Sequence, residues 1–271
     1  MRIGIIGLGL IGASYAKRLA ESFDVYGHDI DESVMQSMEE EGLKGNALDH
    51  LSSLDIVVLA LNPSIAMAFM ETHGHKLKDD VLLTDVCGVK KRVVSFIEHR
   101  LTENQTYLSH HPMSGNPEGG FENSKATLFE NANLVYVRTK KTEDDDLNRL
   151  NLVLSKLGFS SFSVMDASAH DYYIAHTSQL THLISSALVL SNDDILPKEV
   201  MGNSYRDLTR IADIEPVMWS ELFMENKDAL ISTLDDFQNA IETFKTLLEK
   251  GDEKPVRTLL EKTRNRYKQN S

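Results

Sequence analysis

Three groups of residues in this chain have types and spacings that can do chemistry. The first is Gly7-x-Gly9-x-x-Gly12 in "IGIIGLGLIG", directly after a β-branched run and opening an amphipathic stretch. In that setting Gly7 permits a tight turn, Gly9 lets the backbone approach a pyrophosphate, and Gly12 lets strand and helix pack closely. The helix amino terminus then faces the phosphates. The candidate cofactor contacts are Gly7, Leu8, Gly9, Leu10, Ile11 and Gly12. Asp29 in "YGHDID" follows Gly7 by 22 positions, where a carboxylate accepts hydrogen bonds from a ribose diol and repels a 2′-phosphate. This pairing points to NAD rather than NADP.

The second group is "SHHPMSG", residues 109 to 115. His111 falls at the carboxyl end of an expected strand, the sheet edge where ligands lie in open α/β folds. A neutral imidazole there can take a proton from a substrate hydroxyl while a hydride leaves the same carbon; the competing reading is a satisfied histidine at a strand end. The third group lies in "HDYYIAHTSQLTHL" and "GNSYRDLTRIADIEPVMW". Ser178 and His182 are four residues apart on one helical face, with Asp171 seven before Ser178. Arg210 stands among Leu208, Ile211 and Ala212, either paired with Asp207 or Asp213 or waiting for an anion. The remaining histidines carry less. His73 and His75 form an H-x-H pair with no third ligand nearby, so no metal site is expected. His28 is placed at the adenosine end, and His50 and His99 on solvated helix positions.

These groups need a scaffold, and the chain alternates accordingly up to about residue 165. Seven short runs, "RIGIIG", "FDVYGHD", "LDIVVLAL", "DVLLTDV", "TYLSHH", "NLVYVRT" and "FSSFSVM", are separated by amphipathic stretches. This is the βαβ rhythm of a parallel, doubly wound sheet. After Asp166 the β-runs stop, and apolar residues such as Leu180, Leu183, Ile184, Ala187 and Leu188 recur at helical spacing. "GDEKP" marks a helix start, with Asp252 as cap and Pro255 in the first turn. The expected fold is a Rossmann-type α/β domain over 1–165 followed by an all-helical domain over 166–271.

Composition excludes several classes. With 41 acidic against 28 basic residues and a formal net charge of -13, the overall field repels nucleic acid. The single cysteine, Cys87, cannot form an intrachain disulfide, and runs such as "IVVLAL" are too short to span a bilayer. The first residues enter a strand directly rather than a signal peptide, so a cytoplasmic location is expected.

Taken in order, "GLGLIG", "TDVCGVK", "SHHPMSGNPEGG", "HDYYIAHTSQLTHL" and "YRDLTRIADIEPVMW" resemble the prephenate/arogenate dehydrogenases of tyrosine biosynthesis over nearly the whole chain. The resemblance implies NAD-dependent oxidation of the hydroxyl-bearing ring carbon of prephenate, with loss of the ring carboxylate as carbon dioxide to give 4-hydroxyphenylpyruvate. The alternatives are arogenate as substrate, a two-domain 3-hydroxyacid-type dehydrogenase, or an NAD-sensing module. The resemblance makes His111 the proton acceptor and Arg210 the holder of a substrate carboxylate, puts Ser178, His182 and Ser114 at the substrate, and places Trp219 near the site. It also implies a homodimer built through the helical half. Gly88, where the family often has serine, and Gln179 and Thr181 depart from its pattern.

Overall fold

The computed structural model describes residues 1–115, 118–192 and 196–270. Asn116 and Pro117, within the "SHHPMSGNPEGG" stretch, lie outside the described residues. All seven expected strands form: β1 (Arg2–Ile6), β2 (Asp24–His28), β3 (Ile56–Leu59), β4 (Leu82–Asp85), β5 (Thr106–Met113), β6 (Asn133–Arg138) and β7 (Ser161–Asp166). They make one sheet in the order β2-β1-β3-β4-β5-β6-β7. Every residue of β3 and β4 is buried, as expected of parallel strands covered on both faces. Helices α1 (Leu10–Leu19), α2 (Glu32–Glu40), α3 (Pro63–His73), α4 (Lys91–Glu98) and α5 (Asp146–Leu154) supply the cover.

Strands β1 to β5 are mutually parallel. Their carboxyl ends therefore bring the glycine turn, Asp29, the segment after β4 and His111 to one sheet edge. The order reverses between β1 and β3, the switch point at which such sheets open a crevice. One strand departs from the expected parallel pattern, since β6 runs antiparallel to β5. The described part of the connection 114–132 has turns but no helix, and a parallel return needs a crossover of a dozen or more residues, usually helical. The connection instead packs on α1, where Lys125 N–H donates to Ser14 Oγ (3.0 Å) and Phe129 meets Tyr15 edge to face. Helix α5 then provides the crossover that makes β7 parallel to β6.

The sheet ends at Asp166, which caps α6 (Ala167–Ile174) by accepting from Ala169 N–H. A single π-helical turn, Ala175–Gln179, joins α6 to α7 (Leu180–Leu190). Helices α8 (Asn203–Thr209) and α9 (Pro216–Glu225) follow. The chain divides into two compact units, Met1–Asn226 and Lys227–Ser271. The second is a hairpin of α10 (Lys227–Lys250) and α11 (Glu253–Asn270), turning at Gly251 with φ 67°. As expected from "GDEKP", Asp252 accepts from Lys254 N–H at the start of α11. Among the described residues no helix is long and apolar enough to cross a membrane.

Candidate active site

The glycine turn has a separate geometric reason at each glycine. Gly7 has φ 92°, and a Cβ there would lie 2.4 Å from Ala60 O. A Cβ on Gly12 would lie 1.9 Å from Gly7 O, so only glycine lets α1 start this close to β1. At Gly9 a Cβ would meet nothing within 4 Å; this is open space in front of the backbone. Gly9 caps α1 without a side chain, and no acidic residue lies in its first turn, which leaves the dipole and first-turn N–H groups for an anion. Leu8 is fully buried and its N–H donates to Asp29 Oδ2 (2.7 Å), while Asp31 N–H donates to Asp29 Oδ1 (3.0 Å). Asp29 is thus pinned beside the turn, with lone pairs left for a diol. Leu10 and Ile11 are half-buried in the first turn of α1. These residues fit a dinucleotide.

His111 sits near the carboxyl end of β5, half-buried. Its Nδ1 is 2.9 Å from His170 Nε2, and His170 Nδ1 is 2.8 Å from Asp171 Oδ1. Burial pushes the His111 imidazole well below its ordinary pKa; His170, Lys90 and His110 act in the same direction and Asp85 opposes them. His111 is therefore a neutral imidazole at working pH.

Beneath it lies a polar cluster that the sequence reading left unassigned. Lys90, fully buried, donates from Nζ to Asp85 Oδ1 (2.7 Å) and His110 O (2.6 Å). Tyr107 OH donates to Asp85 Oδ2 (2.5 Å). Burial works to raise the Asp85 carboxyl, but the Lys90 charge and the hydrogen bonds outweigh it and hold it at about 2. His110 has both ring nitrogens occupied, by Thr84 Oγ1 (2.6 Å) and Tyr15 OH (3.0 Å), and burial followed by the Lys90 charge lowers it to about 3. Of the two adjacent histidines, His110 braces the sheet and His111 faces the edge.

Apart from His170 and Asp171, the second-half residues singled out by the sequence, Ser178, His182, Arg210 and Trp219, make no hydrogen bond or ring contact with His111 among the described residues. His182 donates from Nδ1 to Ser178 O (2.9 Å), in keeping with their common helical face, and its ring lies against Trp219, tilted by 32° with centroids 3.9 Å apart. Arg210 is exposed at the head of a 3-10 turn packed against α7. Among the described residues it makes no ion pair, so the expected alternative of pairing with Asp207 or Asp213 is not realised. Ser114 Oγ donates to Leu128 O (3.0 Å). Gln179 is buried and ties α7 to α9 through Leu222 O (2.8 Å) and Asn226 Nδ2 (2.8 Å). Helix α9 in turn reaches the sheet edge: Glu221 accepts from Ser64 N–H at the start of α3 (2.7 Å), and Glu225 pairs with Arg92. A Cβ on Gly88 would lie 3.4 Å from Leu222, so this departure marks where α9 approaches the loop after β4. No group of three or more His, Cys, Asp or Glu able to hold a metal occurs among the described residues.

Comparison with known proteins matches residues 13–162 to the nucleotide-binding domain of prephenate dehydrogenase and residues 166–262 to its dimerization domain. The chain belongs to the prephenate dehydrogenase family. It is 28% identical to the prephenate dehydrogenase of Lactococcus lactis subsp. cremoris, over 96% of this chain and 75% of that one. It is also 28% identical to the cyclohexadienyl dehydrogenase of Zymomonas mobilis, over 92% and 89%. Among solved structures, prephenate dehydrogenase from A. aeolicus in complex with hydroxyphenyl propionate and NAD+ superposes with a TM-score of 0.86 at 27% identity, covering 99% of this chain and 98% of that one.

Proposed function

We propose that this family member is an NAD-dependent oxidoreductase that converts prephenate to 4-hydroxyphenylpyruvate. The observation that carries the reading is His111: a neutral imidazole at the carboxyl edge of the sheet that also holds the glycine turn and Asp29. NAD, held by Gly7, Leu8, Gly9, Leu10, Ile11, Gly12 and Asp29, supplies the hydride acceptor. His111 takes the proton of the ring hydroxyl as that carbon gives up its hydride. The bond to the ring carboxylate then breaks, carbon dioxide leaves, and the bonding pair completes the aromatic ring. The resulting phenolate oxygen recovers a proton from His111, so no proton is consumed overall.

Arg210 suits a substrate carboxylate because the residue is exposed and makes no ion pair among the described residues, and its planar fork matches that group. Ser178, His182 and Ser114 belong to the same proposed pocket wall, with Trp219 fixing the His182 ring. We assign cofactor binding to 1–165 and substrate binding and dimerisation to 166–271. A homodimer is supported by the dimerization-domain match and by exposed Ile231, Ile241, Leu248 and Leu260 on the hairpin. A cytoplasmic location belongs to the same proposal. The Zymomonas relative's name, cyclohexadienyl dehydrogenase, supports a broader specificity as the second reading, and arogenate is the alternative substrate we consider under it. The test is absorbance at 340 nm with NAD and either prephenate or arogenate. A rise with prephenate supports the reading, a rise with arogenate alone moves the assignment to the alternative, and no rise with either rejects both.

A further inference from the structure

His170 and Asp171 are almost fully buried, 1% and 3% exposed, yet neither belongs to the set of substrate or cofactor contacts named above. Their bonding is fully directional. Asp171 Oδ1 accepts from Lys90 N–H (2.8 Å) and Oδ2 from Lys91 N–H (2.8 Å), which fixes the carboxylate against the start of α4. A carboxylate can only accept, so His170 carries its hydrogen on Nδ1, 2.8 Å from Asp171 Oδ1. Burial lowers the His170 pKa although Asp171 opposes this, and in the neutral ring Nε2 is then bare. Across the 2.9 Å contact His111 must therefore donate from Nδ1, which leaves its own Nε2 bare.

We infer that His170 and Asp171 are positioning residues that hold His111 in the one tautomer able to accept the substrate proton, and that they store that proton during turnover. When His111 Nε2 takes the hydroxyl proton, its Nδ1 hydrogen can shift to His170 Nε2. The positive charge then rests beside the Asp171 carboxylate, and no atom is gained or lost in the pair. Either location of the charge leaves a hydrogen on His111 Nε2, ready to return to the phenolate oxygen. The other charged or titratable groups near the pair are Lys90, Asp85 and His110, from the loop after β4, from β4 and from β5. Lys90 disfavours a proton on either ring; Asp85 favours one, and the two are locked to each other. Asp171 is thus the partner that sets the balance within the chain of rings. This inference rests on His111 being the base.

The experiment compares wild type, His170→Phe and His170→Gln in the full chain, with prephenate and NAD, from pH 5 to 10. His170→Phe removes the acceptor and frees the His111 ring, so kcat should fall on the order of 10–100-fold, short of the loss of a whole general base. KM for prephenate and the Kd of NAD should stay within about twofold. His170→Gln presents an oxygen to His111 and an N–H to Asp171, so it should recover part of kcat. In both variants the acidic limb of the kcat profile should shift from its wild-type position, because a proton taken by His111 can no longer pass to a ring held beside Asp171. A merely structural role would lower the rate without moving that limb. If His170→Phe does not fold, the limb and rate of His170→Gln decide. An unmoved limb, or wild-type kcat in His170→Phe, overturns the relay while leaving the dehydrogenase reading intact. Absence of NADH formation by wild type would reject that reading itself.

Discussion

Replacing Asp85 by asparagine breaks the one ion pair in which both side chains are fully buried among the described residues. The Lys90 ammonium would keep His110 O (2.6 Å) and the more distant Asp85 O (3.4 Å) but lose its charged partner at 2.7 Å. The new amide would also set an N–H against either Lys90 or Tyr107 OH, which are both donors here. Breaking a buried pair from one side costs about 3–5 kcal/mol. Unfolding entropy of about 2.1 cal/mol/K per residue gives the unit Met1–Asn226 roughly 0.5 kcal/mol/K, so Tm should drop by about 6–10 °C. Far-UV circular dichroism on heating reads this directly. The double variant Asp85→Asn with Lys90→Met should recover more than half of the loss, because the amide N–H can then take the carbonyls that Lys90 vacates. A single variant melting within about 2 °C of wild type would refute the view that this pair braces the floor beneath His111.

Arg210→Gln should raise KM for prephenate by about 10–150-fold, the equivalent of a charge-assisted contact of about 1.5–3 kcal/mol, with Tm and NAD affinity unchanged because Arg210 makes no ion pair among the described residues; steady-state kinetics beside a melt checks it. Asp29→Ser should narrow the preference for NAD over NADP by on the order of 10-fold in kcat/KM, measured with both cofactors at one substrate concentration. Acid should destabilise the fold well before carboxylates titrate. His110 is held at about 3 against about 6.5 unfolded, so its neutral form contributes stability above pH 6.5 that is lost as pH falls toward 3. Denaturant unfolding at pH 5 should give a stability at least about 2 kcal/mol below that at pH 7.5, the share of His110, with His111 and His170 acting in the same direction.

Much of this arrangement was legible because local chemistry dictates it. The β-branched runs mark all seven strands, and two of the three glycines are demanded by the fold, Gly7 by its positive φ and its approach to Ala60 O and Gly12 by its approach to Gly7 O, whereas Gly9 faces open space. The direction of β6 was not legible, as it depends on the packing of the 114–132 connection on α1 and not on the strand's own residues. Helical spacing places Ser178 and His182 on one face, yet it assumes 3.6 residues per turn and so passes over the π-helical turn at Ala175–Gln179. The contact of His111 with His170 spans 59 positions and exists only because α6 crosses the sheet edge. The signal that could have exposed it was the adjacent His170 and Asp171 in the middle of the short helix α6. Lys90 was hidden in the same way, since nothing local distinguishes a fully buried lysine from its exposed neighbour Lys91.

The central claim is that His111 is the base of a prephenate-oxidising enzyme, and His111→Asn tests it most directly. Asparagine retains hydrogen bonding but cannot take the hydroxyl proton. With NAD and prephenate, formation of NADH at 340 nm should fall by roughly 10²–10⁴-fold while Tm and the Kd of NAD match wild type. Turnover equal to wild type in that variant would contradict the account and return His111 to a histidine that merely ends a strand.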